Sequence, residues 1–163
     1  MEPRSPSASG SSVIRPPVFA ALVTFQGMKF VMYPQLAACD VARARDWYWE
    51  KLGIEPVIAN QEPYRSDQEL DRDTELFYDT GTAKFGVYHS DNAGTNRATA
   101  VRLVVQDFDA AHSELVSRGV VFEDYDLDEE FRTDGGVLVS PDGEKTCWFK
   151  DSEGNIIAMG SSI

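Results

Sequence analysis

The middle of this chain is written twice. Asp40-Val41 opens a helical pattern that closes at Leu52-Gly53, and Asp107-Phe108 opens another that closes at Arg118-Gly119. The opening aspartates stand 67 positions apart, and each follows an apolar, strand-like run (residues 30–39 and 98–106). A second echo sets Phe77-Tyr78-Asp79-Thr80-Gly81 against Phe149-Lys150-Asp151-Ser152-Glu153-Gly154, each ahead of a short apolar strand. A unit of one helix and several strands cannot cover both faces of its own sheet. Two copies must therefore pair, and the space between them is where a ligand is expected.

Within the first copy, the Asp40 carboxylate suits the free amides and positive end of a helix start. Val41, Ala44, Tyr48 and Leu52 recur at helical spacing, Trp47 widens the stripe, and Gly53 supplies a left-handed stop. Strands are expected at 30–38, 56–59, 75–78 and 83–89, with the polar stretch 60–74 long enough to form a flap over a site. The second copy repeats the order. A strand is expected at 98–105, Asp107 caps, Phe108, Ala111, Leu115 and Val116 form the buried stripe, and Gly119 ends the helix. His112 is expected on the exposed flank of that helix. An extended run at 120–123 leads into an acidic solvated loop, 123–130. Pro141-Asp142-Gly143 marks a turn, and strands at 145–149 and 155–159 finish the unit.

The chain carries a formal net charge of −12, with 27 Asp and Glu against 15 Lys and Arg, so nucleic acid and anionic membrane surfaces are excluded as partners. The charge reads first as solubility and second as an acidic pocket for a cation. Its two cysteines, Cys39 and Cys147, form neither a disulfide framework nor a CxxC metal motif. Both read as strand fillers in a reducing cytosol, which makes the protein cytoplasmic. Residues 1–17, rich in Ser and Pro, read as disordered, and the apolar run 18–25 is too short to span a bilayer. Met28 is a candidate native start. The expected organisation is an N-terminal extension, 1–28, and one domain, 29–161, with unit one at 29–92 and unit two at 97–161.

The strand-then-Asp openings LAACDVARARDWYWEKLG and VRLVVQDFDAAHSELVSRGV, together with the ending WFKDSEGNIIAM, resemble the vicinal oxygen chelate superfamily. That group holds the glyoxalase, bleomycin-resistance and extradiol dioxygenase proteins. Ser152 stands where the family's terminal turn usually has Pro. The resemblance implies an α+β fold in which two βαβββ units pair into curved mixed sheets around a shared cleft. It also implies a homodimer. Family metalloenzymes bind a divalent ion through His on the first strand of each unit and Glu on the last. The corresponding positions here are Tyr33, Ala100, Ala158 and a residue near Phe85, so the resemblance leads to no metal and no other cofactor.

Strand alternation then nominates Tyr33, Gln35, Phe85, Val87, His89, Arg102 and Val104 as ligand-binding residues, and Trp148 joins them with its strand face unassigned. Gln35 and Arg102 occupy equivalent places in the two copies and could orient a planar or carboxylated ligand. Three functions stay open. The first is metal-free binding of a small aromatic or drug-like molecule. The second is a glyoxalase-like lyase, isomerase or dioxygenase with a displaced metal or with His89 and Tyr33 as acid–base candidates. The third is a non-catalytic interaction module.

Overall fold

The computed structural model describes residues 23–25, 28–30, 32–126 and 131–161. The chain divides into two compact units, Met1–Met32 and Tyr33–Ile163. The first contributes a small antiparallel hairpin, β1 (Val23–Phe25) with β2 (Met28–Phe30). The expectation for residues 1–28 otherwise lies outside the described residues.

The second unit contains both copies. The first copy runs β3 (Gln35–Ala38), α1 (Val41–Trp47), a π-helical turn (Tyr48–Leu52), β4 (Pro56–Ala59), the two-residue β5 (Glu62–Pro63), β6 (Leu76–Asp79) and β7 (Lys84–His89). The second runs β8 (Thr99–Val104), α2 (Phe108–Ser117), β9 (Val137–Val139), β10 (Lys145–Lys150) and β11 (Ile156–Gly160). The sheet orders are β3-β7-β6-β4-β5 and β8-β11-β10-β9. In each sheet the first strand of the copy lies parallel to its last strand, and the remaining pairs are antiparallel. This is the α+β arrangement the duplication requires. Among the described residues, no helix is long and apolar enough to cross a membrane.

Both helices begin as their sequences dictate. Asp40 accepts from the Arg43 amide at 3.0 Å, and Asp107 accepts from the Ala110 amide at 3.0 Å. The first helix widens into its π-turn and stops at Gly53, whose φ of 69° suits a residue without Cβ. The first strand is shorter than expected: β3 starts after Pro34, which has no amide to give a ladder, although its carbonyl still accepts from the Gly86 amide at 2.9 Å.

Three further expectations are corrected. Val116 is exposed, not buried. The buried stripe of α2 follows Phe108, Ala111, His112 and Leu115, the spacing of one helix face, and Val116 falls one step past it. His112 is accordingly not on an exposed flank. It stacks between Phe108 (5.8 Å) and Phe122 (4.3 Å), with Nε2 buried and unpartnered in the described contacts. Cys39 lies on an exposed bend after β3, whereas Cys147 is fully buried on β10.

The helix-facing sides of the two sheets share one core. Leu36, Ala38, Leu76 and Val87 come from the first sheet, and Cys147, Phe149, Ile157 and Met159 from the second. Trp47 of α1 stacks over Phe149 of the other copy (6.2 Å, 29°), so the first helix is packed by both halves.

Candidate functional site: two matched open faces

The strand register puts one pattern on both sheets. Gln35 of β3 lies opposite Gly86 of β7, which lies opposite Phe77 of β6. In the second sheet, Arg102 of β8 lies opposite Ala158 of β11, which lies opposite Trp148 of β10. Their sequence neighbours Leu36, Val87, Tyr78, Leu103, Met159 and Phe149 belong to the shared core or pack against it, so both rows are on the faces turned away from the helices. Each row carries a flat polar side chain, then a residue with almost no side chain, then an aromatic ring.

These rows correct two sequence alignments. The first-copy counterpart of Ala158 is Gly86, not Phe85. Phe85 and Val87 turn to the helix side: Phe85 stacks on Tyr78 at 4.7 Å and 4°, and Val87 is buried in the core. Likewise Phe77 matches Trp148, one residue away from the Phe149 that the sequence echo suggests. The second copy reaches its terminal turn with one residue fewer of offset, and a one-residue slip exchanges the two faces of a strand.

On the first face, Gln35 Nε2 donates to Glu75 Oε1. The Gln35 side chain and Phe77 ring lie over Gly86, where an added Cβ would stand 3.4 Å from Gln35 Cγ and 3.6 Å from Phe77 Cε1. Tyr33 packs edge-on against Phe77 (5.3 Å, 73°). Beside Gln35 is a shallow, open pocket of about 330 Å³, lined by Glu75, Tyr88, His89 and residues 72–74. The end of the loop expected as a flap thus forms one wall. Arg72 holds Asp91 through two 3.0 Å contacts, and its Nε donates a long 3.4 Å bond to His89 Nδ1. His89 Nε2 stands 3.7 Å from Asp91 Oδ1. Glu75, Tyr88, Arg72 and Asp91 were not nominated from sequence; the loops and strand ends that fold around the pocket bring them there.

On the second face, Arg102 donates to Thr146 Oγ1 at 3.2 Å and lies flat against Gly160, where a Cβ would come within 2.2 Å of its terminal nitrogen. Trp148 meets Tyr125 (5.6 Å, 87°) and Phe131 (5.5 Å, 48°), two rings delivered by the loop between α2 and β9. Asp124 secures that loop, accepting from Thr133 Oγ1 at 3.0 Å and from the Gly136 amide at 2.8 Å. Residues 127–130 of the expected acidic loop lie outside the described residues. Val104 is exposed on the same face. The nominated residues therefore fall in four places: Tyr33 and Gln35 on the first open face; His89 at the end of β7, lining the pocket beside it; Arg102, Val104 and Trp148 on the second face; Phe85 and Val87 toward the helices.

The terminal turn carries chemistry that sequence reading missed. Glu153, buried, accepts from the Cys39 amide (2.9 Å), the Asp40 amide (3.2 Å) and Arg43 (2.7 and 2.9 Å), and Cys39 Sγ lies 3.2 Å from it. Burial pushes its pKa up, but the Arg43, Cys39 and Asp40 hydrogen bonds outweigh that and hold it at about 2. Asp151, also buried, accepts from Tyr48 Oη (2.9 Å), Asn155 Nδ2 (2.8 Å) and the amides of Glu153 and Asn155 (2.9 Å each). Asn155 Nδ2 also donates to the Ala37 carbonyl at 2.9 Å. These bonds fasten the second copy to the start and end of the first helix. They are fully engaged in structure and offer nothing to a ligand. Among the described residues, no three His, Cys, Asp or Glu side chains gather as a metal-binding group.

No family model and no curated protein matches this chain. Among solved structures it is similar to TioX from Micromonospora sp. ML1, with a TM-score of 0.56 and 18% identity over 82% of this chain and 97% of that one. It is similar to a glyoxalase / bleomycin resistance protein from Catenulispora acidiphila DSM 44928, with a TM-score of 0.54 and 22% identity over 79% and 95%. A mutant of the fosfomycin resistance protein FosX from Listeria monocytogenes, complexed with Mn(II) and 1S,2S-dihydroxypropylphosphonic acid, gives a TM-score of 0.53 and 12% identity over 82% and 90%. Likeness at these identities speaks for the fold.

Proposed function

We propose, for a chain with the glyoxalase/bleomycin-resistance fold of the vicinal oxygen chelate type, that it binds a small planar molecule on its open sheet faces and uses no metal to do so. The observation carrying this reading is the matched pair of rows, Gln35–Gly86–Phe77 and Arg102–Ala158–Trp148. Half-buried Trp148 supplies a stacking surface on the second face, and buried Phe77 supplies the floor of the first. The amide or guanidinium two strands away supplies hydrogen-bond donors, and the small residue between them keeps the approach low.

The divalent ion seen with the Listeria FosX mutant does not fit here. The positions where the family resemblance expects ligands hold Tyr33, Gly86, Ala100 and Ala158: one phenol, one bare backbone and two methyl groups. By the same resemblance the protein acts as a homodimer, and its cysteine usage is that of a cytoplasmic protein.

The test is calorimetric titration of flat aromatic ligands, with Trp148→Ala and Gln35→Ala each weakening binding about tenfold, the size of a lost stacking or hydrogen-bonding contact. Unchanged affinity in both variants would reject the reading. A stoichiometric divalent ion copurifying with the protein would do the same for its metal-free part.

A second reading, catalysis by His89 with Tyr33, draws on the Arg72 and Asp91 contacts that set the imidazole at the edge of the 330 Å³ pocket. It requires turnover of a substrate by the purified protein that His89→Ala abolishes.

A further inference from the structure

A larger cavity, about 520 Å³, lies on the other side of the sheets, between the two copies. Its walls are built from equivalent residues: Leu36 and Leu103 on the first strands, Tyr48 and Leu115 on the helices, Phe85 and Ile157 on the last strands. The cavity therefore straddles the local twofold relation between the copies. Leu36, Leu103, Phe85 and Ile157 line it from the strand faces opposite the two rows, while Arg102 and Val104 of the second open face reach its edge.

Its volume is in the range of sites that enclose a drug-sized molecule, and its walls are apolar. The charged residues around it run against the rest of the protein. In a chain with 27 acidic and 15 basic residues, the cavity is bordered by Lys51, Lys84, Arg102 and Arg118 and by a single carboxylate, Glu114. Arg118 pairs with Glu114 at 2.7 Å, and Lys84 pairs with Asp79. Lys51 instead donates to the Arg118 carbonyl at 2.6 Å, and among the described residues no carboxylate lies within ion-pair range of it. An apolar chamber with a cationic mouth, in a strongly anionic protein, is complementary to one kind of molecule.

We infer that the cavity between the copies is a second binding site, for an amphiphile with an apolar chain and one anionic head group such as a medium-chain carboxylate. The chain lies between Leu36, Leu103 and the two ring-bearing walls, and the head group meets Lys51 and Arg118. This site does not depend on the function proposed for the open faces.

The test uses the full chain and three probes below their micelle-forming concentrations: decanoate, 1-decanol and decyltrimethylammonium. Decanoate binds one per chain, and the ammonium probe binds at least about tenfold more weakly, as expected for a like-charge mouth. Lys51→Gln lowers decanoate affinity about tenfold and leaves 1-decanol unchanged. Leu103→Trp fills the chamber and removes binding of both; Ala111→Met serves the same purpose where the larger residue prevents folding. Cross-relaxation in NMR connects the decanoate chain to Phe85 and Met159. No decanoate binding, equal binding of the cationic probe, or contacts to Trp148 in place of Phe85 would overturn the inference. Loss of aromatic-ligand binding by Trp148→Ala with decanoate affinity intact separates the two sites.

Discussion

Lys51 and Arg118 hold each other by the backbone. Lys51 Nζ donates to the Arg118 carbonyl at 2.6 Å, and an Arg118 guanidinium nitrogen donates to the Lys51 carbonyl at 3.4 Å. They are the same position in the two copies, at the C-terminal end of each helix, where carbonyls lack helical partners and a cation suits the dipole. The duplication thus closes on itself at its local twofold relation, with each cation satisfying the other helix.

Removing either side chain leaves the partner's carbonyl unfilled. Lys51→Met and Arg118→Met are each expected to cost about 1–2 kcal/mol in urea unfolding. The double variant should cost less than the two together, because the two bonds are neighbours and each fixes the backbone whose side chain makes the other. Strict additivity would show that the two bonds are independent.

Glu153 gives the protein a specific acid sensitivity. Its carboxyl titrates at about 2 in the fold against an ordinary value of 4.5. A depressed carboxylate contributes stability that is present above its unfolded pKa and is lost as pH falls through its folded pKa. Stability should therefore decline from about pH 4.5 down to pH 2. The contribution is about 2 kcal/mol, below what the full shift implies, because half-exposed Arg43 is screened by solvent. Glu153→Gln lowers stability at pH 7 and flattens that acid limb, which denaturation curves across the pH range would display.

Tyr48 is buried to 1% exposure and donates to buried Asp151. Burial first, and then the Asp151 charge, holds its phenol well above the usual tyrosine range, so it remains a donor at all ordinary pH. Tyr48→Phe leaves a buried charge one donor short, with an expected loss of about 1.5–3 kcal/mol. A change below about 0.5 kcal/mol in equilibrium unfolding would contradict this account of the clasp.

The two cysteines should differ in labelling by a thiol reagent. Cys39 is exposed, whereas burial pushes the Cys147 thiol up to about 12. A thiolate is the reactive form. A disulfide reagent at pH 8 is expected to label one thiol per native chain and two after denaturation, and Cys39→Ser removes the native signal.

Much of the fold was legible because duplication, capping aspartates and helix-stopping glycines act locally. Asp40, Gly53, Asp107 and Gly119 each govern a turn of chain through their own backbone and side chain. The site was less legible because faces depend on register. The connection before β7 offset the copies by one residue, which moved Phe85 to the core and placed Gly86 beneath Gln35. Tyr125 and Phe131 were hidden for another reason. They reach Trp148 from a loop with no periodicity, and the only available signal was aromatic residues inside an acidic stretch. Glu153 drew no notice as a site residue because its partners, Cys39, Asp40 and Arg43, lie more than a hundred positions away.

That distance also bears on how the protein is made. The start of the first helix is fixed by a carboxylate 110 positions further along the chain from Arg43. Before the second copy is made, the first can form its strands and much of its helix, but the amides of Cys39 and Asp40 have no carboxylate waiting for them. Contacts this distant in sequence form late and slow the search for the native state. The first copy is therefore an apprentice to the second: its helix start is completed only once the turn after β10 has been made.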